Sequence, residues 1–176
     1  VLTGDGRLAE VQATAEGDLA LWEANYWRII RDKTAHFMGA CCECGAFVGD
    51  ADAKTRESLR EYGVQLGLAF QITDDVLDIA GDPSVTGKAT GADLTHGKYT
   101  LPVLLALRDS ADAASLRSLL LQGKLSTEQA ELAATKVIEC GAVDSARAVA
   151  VECVEKAREQ LREVPASEYT LALDAL

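Results

Sequence analysis

The chain has 176 residues, of which 48% are hydrophobic and 26% are charged, and its net charge is −11. This length is enough for one domain with its own hydrophobic core. The negative charge argues against a nucleic-acid surface, which needs a basic patch, but a few lysines or a metal ion could still bind an anionic substrate. The sequence shows neither a signal peptide nor the roughly 18 apolar residues of a membrane span. The odd number of cysteines is atypical of a secreted disulfide framework, so we expect a cytoplasmic protein.

The low aromatic content of 5% and the three prolines favour an all-helical fold. Apolar residues recur every three or four positions over residues 19–48, which predicts a long helix, broken near Ala24 and Asn25. After a turn at residues 49–52, the same spacing predicts a helix over residues 54–80. Gly63 and Gly67 in this helix predict a close neighbour or ligand, since glycine otherwise weakens a helix.

The remaining pattern predicts a loop followed by shorter helices. The loop covers residues 84–100, and Ser126 begins a capping box. No strand pattern is present. We therefore expect a single all-helical domain over residues 1–176, with a motif region at 26–102 and a scaffold at 103–176. The helices after the loop are expected at residues 101–107, 111–122, 127–139, 143–164 and, as one short helix, within 166–176.

An acidic stripe stands out in the helix predicted over residues 54–80. Residues 70–78 read FQITDDVLD. Apolar residues such as Phe70 and Leu77 occupy the rest of the circumference, which predicts a buried helix. The polar stripe has the spacing i, i+3, i+4, i+7 and consists of Gln71, Asp74, Asp75 and Asp78.

Three carboxylates on a buried helix repel one another and are costly to desolvate. No lysine or arginine lies between Glu61 and Lys88 to neutralise them. A divalent cation with oxygen ligands, such as Mg²⁺, is the predicted partner. The alternative is a solvated helix face, but such a face usually carries long charged side chains.

Lysines on two segments are candidates for anion binding. Lys88 and Lys98 lie on the loop after the acidic stripe, where their proximity to Asp78 favours anion binding over two ordinary surface lysines. This loop does not match a phosphate-binding loop, because its glycine spacing is wrong and alanine follows Lys88. Lys33 and Thr34 interrupt an apolar helix, and periodicity leaves open whether Lys33 reaches solvent or the same cleft.

Two further groups have simpler interpretations. Cys41, Cys42 and Cys44 have only His36 nearby, so we expect small buried thiols in a tight helix contact and not a zinc site. His96 is expected to be a turn residue and not a base.

Three ordered motifs resemble the trans-isoprenyl diphosphate synthases, the polyprenyl synthetase family. They are YWRIIRDKTA at residues 26–35, YGVQLGLAFQITDDVLD at residues 62–78 and GKATGADLTHGKYTLP at residues 87–102. The resemblance implies a bundle of long antiparallel helices around a central cavity, usually in a homodimer. It also implies head-to-tail condensation of isopentenyl diphosphate with an allylic diphosphate.

The resemblance assigns roles to individual residues. Asp74 and Asp75 would bind Mg²⁺, with Asp78 in support. Lys33 and Lys88 would act in catalysis by stabilising the departing diphosphate. The residues that would hold or orient the allylic diphosphate are Lys33, Thr34, Gln71, Lys88 and Lys98.

The sequence also departs from this family. It lacks the first aspartate-rich motif and the upstream region for isopentenyl diphosphate, and we expect that an N-terminal half is missing, with residues omitted between Asp5 and Gly6. The 176 residues alone are then expected to be inactive. The alternatives are a non-catalytic or regulatory subunit of a heteromeric synthase and a helical scaffold. A terpene cyclase fits less well, because residues 74–82 do not match its pattern.

Overall fold

The computed structural model describes residues 19–82, 90–122 and 124–176. Every regular element within these ranges is helical, which confirms the all-α fold class. The helices are α1 (Leu19–Ile30), α2 (His36–Val48), α3 (Ala53–Ala80), α4 (Ala92–Thr95), α5 (Leu101–Asp109), α6 (Ala113–Leu120), α7 (Thr127–Glu139), α8 (Ala142–Leu161) and α9 (Glu168–Asp174).

Every predicted helix has a counterpart in the structure, but two local features differ from expectation. The predicted long helix is interrupted by a π-helical turn at Arg31–Ala35 and not near Ala24 and Asn25. Its wider ring is closed by a hydrogen bond from the His36 amide to the Arg31 carbonyl. The short helix α4 lies inside the predicted loop, where four residues are too few to show a period. Lys88 and the Asp5–Gly6 junction lie outside the described residues.

The described chain falls into two compact units. The first unit contains residues 19–29 and 72–148, and the second contains residues 30–71 and 149–176. The boundaries fall inside α1, α3 and α8, so these helices contribute to both units. The single domain, the antiparallel arrangement and the central cavity stay predictions.

The first unit is built around α5, whose residues 101–107 are all buried. Helices α6 and α7 pack against α5, and α4 packs against α7. The ring of Trp22 on α1 lies 5.4 Å from the ring of Tyr99, just before α5. The capping box predicted at Ser126 is confirmed by its reciprocal hydrogen bonds with Gln129.

The second unit depends on close contact between α2 and α3. A Cβ atom added at Gly63 would lie 2.6 Å from the Met38 carbonyl oxygen, and one added at Gly67 would lie 2.7 Å from Cα of Ala35. Real Cβ atoms do not approach so closely, which confirms the expected close neighbour. Farther along the same unit, Tyr62 packs against Ala157 and Leu161 of α8.

Helix α3 is not buried on every side, which corrects one expectation. Phe70 is 61% exposed and Leu77 is 48% exposed. Thr73 and Asp74 are also exposed and share this face, because residues three and four apart are neighbours on a helix. The apolar composition of α3 predicted that its whole circumference is buried. In the described structure, however, other elements cover only the face opposite Phe70 and Leu77.

The prediction of buried thiols is wrong for two of the three clustered cysteines. Cys41 and Cys44 are exposed, and Cys42 is half-buried. The buried face of α2 contains Gly39 and Ala46, so rotation by about 100° per residue places only Cys42 beside it. The Cys42 sulfur would lie 2.8 Å from a Cβ added at Gly63, and burial raises the pKa of its thiol. A thiol that stays protonated is a poor metal ligand.

Among the helices that the structure describes, none is long and apolar enough to cross a membrane.

Candidate active site

The three carboxylates of the acidic stripe all lie on α3, but they have different environments. Asp74 is exposed, Asp75 is only 4% exposed and Asp78 is half-buried. All three residues lie within about one turn of the same helix. Their different exposure therefore results from the elements that pack against each side of α3. The stripe therefore combines one carboxylate in solvent with one held inside the first unit.

Asp75 is held by a tyrosine from another helix. The Tyr26 hydroxyl on α1 donates a hydrogen bond of 2.7 Å to Oδ2 of Asp75. Tyr26 is itself buried, and its ring packs against that of Trp27 in a T-shaped arrangement at a centroid distance of 5.5 Å. Sequence reasoning gave Tyr26 no role, although a tyrosine on a buried helix face needs a partner for its hydroxyl.

Asp78 anchors the segment that follows α3. Its Oδ2 accepts a hydrogen bond of 3.1 Å from the Asp93 amide, and its carbonyl oxygen accepts one of 2.8 Å from the Gly91 amide. Gly91 adopts a φ of 74°, which glycine tolerates best. Asp93 in turn pairs with the Lys98 ammonium at 2.9 Å. Asp78 thus positions the segment that presents Lys98.

In the second unit, two of the predicted diphosphate ligands contact each other. The Thr34 hydroxyl donates a hydrogen bond of 3.0 Å to Oε1 of Gln71. Gln71 is buried, whereas Lys33 is exposed on the π-helical turn. Single π-helical turns inside helices are frequent at functional sites, and here the turn carries Lys33 and Thr34 together.

The carboxylate oxygens on α3 are of the type that a hard divalent cation prefers. Within the described ranges, no three or more His, Cys, Asp or Glu side chains are grouped so that they could hold a metal ion by themselves. Mg²⁺ commonly takes one or two protein carboxylates and completes its shell with water and substrate phosphates. Asp74 and Asp75 are the candidates for these one or two carboxylates.

His96 behaves as expected for a turn residue. Its Nδ1 lies 2.7 Å from the Ala92 carbonyl oxygen, inside its own segment, and the side chain is exposed.

An all-helical chain in which an aspartate-rich helix is followed by the segment that carries Lys98 is typical of the isoprenoid synthases. The chain belongs to the polyprenyl synthetase family, whose model matches residues 2–137. It is 37% identical over 163 residues to a geranylgeranyl diphosphate synthase of Mycobacterium tuberculosis, covering 92% of this chain and 47% of the relative.

Two further relatives also match most of this chain with only about half of their own length. Component 2 of the heptaprenyl diphosphate synthase of Bacillus subtilis is 32% identical over 151 residues, covering 86% of this chain and 43% of the relative. The crystal structure of a Caulobacter crescentus polyprenyl synthase, complexed with calcium and isoprenyl diphosphate, superposes with a TM-score of 0.80 at 35% identity. That match covers 94% of this chain and 51% of the other chain. The chain thus spans about half the length of the relatives it matches.

Proposed function

We propose that the chain forms part of a polyprenyl diphosphate synthase, a prenyltransferase that joins isopentenyl diphosphate head-to-tail to an allylic diphosphate. The observation that carries this proposal is the exposed Asp74 beside the buried, tyrosine-bound Asp75 on α3. The names of the relatives support the reaction class, and they include products of different length. We therefore propose the shared reaction and no particular product or allylic substrate.

Asp74 and Asp75 are proposed to bind Mg²⁺. When bound, Mg²⁺ would supply positive charge that neutralises the departing diphosphate. The bound calcium of the Caulobacter synthase supports a divalent cation of this kind. Asp78 is proposed to act in support, through the segment that carries Lys98.

The cationic and amide side chains are proposed to bind the diphosphate of the allylic substrate. Lys33 and Lys88 would stabilise the negative charge that develops as the allylic carbon–oxygen bond breaks. Thr34 would orient the Gln71 amide, and Lys98 would add a further positive charge. The alkene of isopentenyl diphosphate would then attack the allylic carbon, and loss of a proton would complete the condensation.

Calorimetric titration tests the binding half of this proposal. Mg²⁺ with dimethylallyl diphosphate is titrated into the unsubstituted chain, an Asp74→Ala/Asp75→Ala variant and an Asp144→Ala control. Asp144 is an exposed carboxylate on α8 that pairs with Arg147. We expect binding by the unsubstituted chain and the control and a loss of binding in the double variant. Absence of binding by the unsubstituted chain, or equal binding by all three, contradicts the site.

Condensation is tested in a chimera in which this chain replaces the matching half of the Mycobacterium tuberculosis relative. We expect incorporation of labelled isopentenyl diphosphate by the chimera and its Asp144→Ala variant. The Asp74→Ala/Asp75→Ala chimera should lose incorporation. A folded chimera that binds the allylic diphosphate without condensing it would contradict the proposed reaction.

A second candidate is a subunit of a heteromeric synthase. The Bacillus subtilis relative is named as one component of a synthase, which supports this alternative. For the first candidate we propose a cytoplasmic homodimer. Sedimentation of the purified chain compares the two candidates, because a stable dimer of the chain alone supports the homodimer and a monomer supports the heteromeric subunit.

A further inference from the structure

We infer that Tyr26 is a positioning residue that fixes the Asp75 carboxylate for binding of a divalent metal–diphosphate complex. This inference rests on the proposed function, because it assumes that Asp75 is a metal ligand. It adds a residue from α1 to a site that sequence reasoning had placed on α3 and the lysine-bearing segments.

The geometry favours a fixed carboxylate at Asp75. The two residues lie 49 positions apart, on different helices of the first unit, and both are buried. Their oxygen–oxygen distance of 2.7 Å is typical of a hydrogen bond between a hydroxyl and a carboxylate. Because the Tyr26 ring also packs against Trp27, its hydroxyl has a defined position from which to hold Oδ2.

Asp74 provides the contrast within the same helix turn. Its side chain is exposed, so solvent satisfies its carboxylate. A metal ligand in solvent must give up rotational freedom on binding, whereas a ligand already held by a hydrogen bond has lost that freedom beforehand. Asp75 would therefore supply the preorganised ligand and Asp74 the adaptable one.

Such outer partners of metal ligands are energetically important. Removing a group that orients a ligand typically weakens metal binding by roughly 10- to 100-fold. We expect an effect of this size for Tyr26→Phe, which deletes the hydroxyl and keeps the ring. Replacement of Asp75 by alanine removes the group through which Tyr26 acts, so Tyr26→Phe should have no further effect in an Asp75→Ala background.

Tyr99 is a matched control in the same unit. It is also buried, and its hydroxyl donates a hydrogen bond of 3.0 Å to the Leu120 carbonyl oxygen. Tyr99→Phe therefore also removes a buried tyrosine hydroxyl, but one whose acceptor is a main-chain oxygen and not a carboxylate of α3. Thermal unfolding followed by circular dichroism checks that both variants are folded.

The experiment measures Mn²⁺ bound to the chain by electron paramagnetic resonance, in the presence of inorganic pyrophosphate. Weaker binding by Tyr26→Phe, unchanged binding by Tyr99→Phe and no added effect in the Asp75→Ala background would support the inference. Equal or tighter binding by Tyr26→Phe would overturn it, as would equal losses in both tyrosine variants. Absence of Mn²⁺ binding by the unsubstituted chain would contradict the proposed metal site and therefore also the inference.

Discussion

The Thr34 hydroxyl donates a hydrogen bond to Oε1 of Gln71, joining the π-helical turn to helix α3 within the second unit. The bond uses the oxygen end of the amide, and the nitrogen end of a glutamine side chain is a hydrogen-bond donor. Donors are what an anionic diphosphate requires. The contact therefore connects two segments of the second unit, and under the proposed function it would also set the orientation of Gln71.

Replacement of Thr34 by valine should lower the stability of the chain. Valine has nearly the same shape but no hydroxyl, so the loss of one partly buried hydrogen bond should cost about 1 kcal/mol of unfolding free energy. Thr34→Ser keeps the hydroxyl and should lose less. Urea unfolding measures both. Thr135→Val serves as a control, since the exposed Thr135 hydroxyl bonds only within its own helix, to the Glu131 carbonyl. An equal loss in Thr34→Val and Thr135→Val would contradict the role of the contact.

Alanine substitutions at two glycines should change stability in opposite directions. A Cβ at Gly63 would overlap the backbone of α2, so Gly63→Ala should destabilise the chain by about 1–3 kcal/mol. Gly45 lies within α2 with nothing within 4 Å of an added Cβ, so Gly45→Ala should stabilise the chain by about 1 kcal/mol. Urea unfolding midpoints measure both changes. Stabilisation by Gly63→Ala would show that the two helices are not in close contact.

The sequence was informative where local chemistry determines structure. The Ser126 capping box and the ends of α3 follow from residue types that act on their immediate neighbours. Gly63 and Gly67 predicted a close contact, although they could not identify α2 as the partner. The spacing of Asp74, Asp75 and Asp78 placed all three on one helix.

Features that depend on distant residues were not predictable in the same way. The periodicity of α3 could not show that Phe70 stays exposed, because burial depends on which helices pack against each face. The partners of the stripe were missed for the same reason. Tyr26 and Asp75 are 49 residues apart, and nothing in their spacing indicates a hydrogen bond between them.

Removal of the Asp78 carboxylate should free the Asp93 amide and leave the Gly91 amide bonded. In Asp78→Ala the Asp93 amide loses its acceptor, so its hydrogen exchange should accelerate by about 5- to 10-fold. Asp78→Asn keeps an oxygen acceptor and should show a smaller change. The Gly91 amide is an internal control, because it bonds to the main-chain oxygen of Asp78 and not to the side chain. Equal acceleration at Gly91 and Asp93 would mean that the whole segment depends on this carboxylate.

Asp52 should make the stability of α3 depend on pH. It immediately precedes α3, and its Oδ1 accepts a hydrogen bond of 2.7 Å from the Thr55 amide, as expected of an N-terminal cap. This bond holds the pKa of Asp52 below its ordinary value of 3.8. A carboxyl group whose pKa is lowered by folding contributes stability above its unfolded-state pKa, and that contribution is lost as the pH falls through the folded-state value.

Asp52→Ala should therefore have a lower urea midpoint than the unsubstituted chain near about pH 7, and the difference should shrink towards about pH 2.5. Asp52→Asn is the matched comparison, because its amide oxygen can cap the helix without titrating. As the pH falls, the Asp52 carboxylate of the unsubstituted chain becomes protonated and its cap weakens, whereas the amide of the variant does not titrate. The variant should therefore become more stable relative to the unsubstituted chain as the pH falls. A difference between Asp52→Ala and the unsubstituted chain that stays constant over this range would show that the cap does not depend on the charge of Asp52.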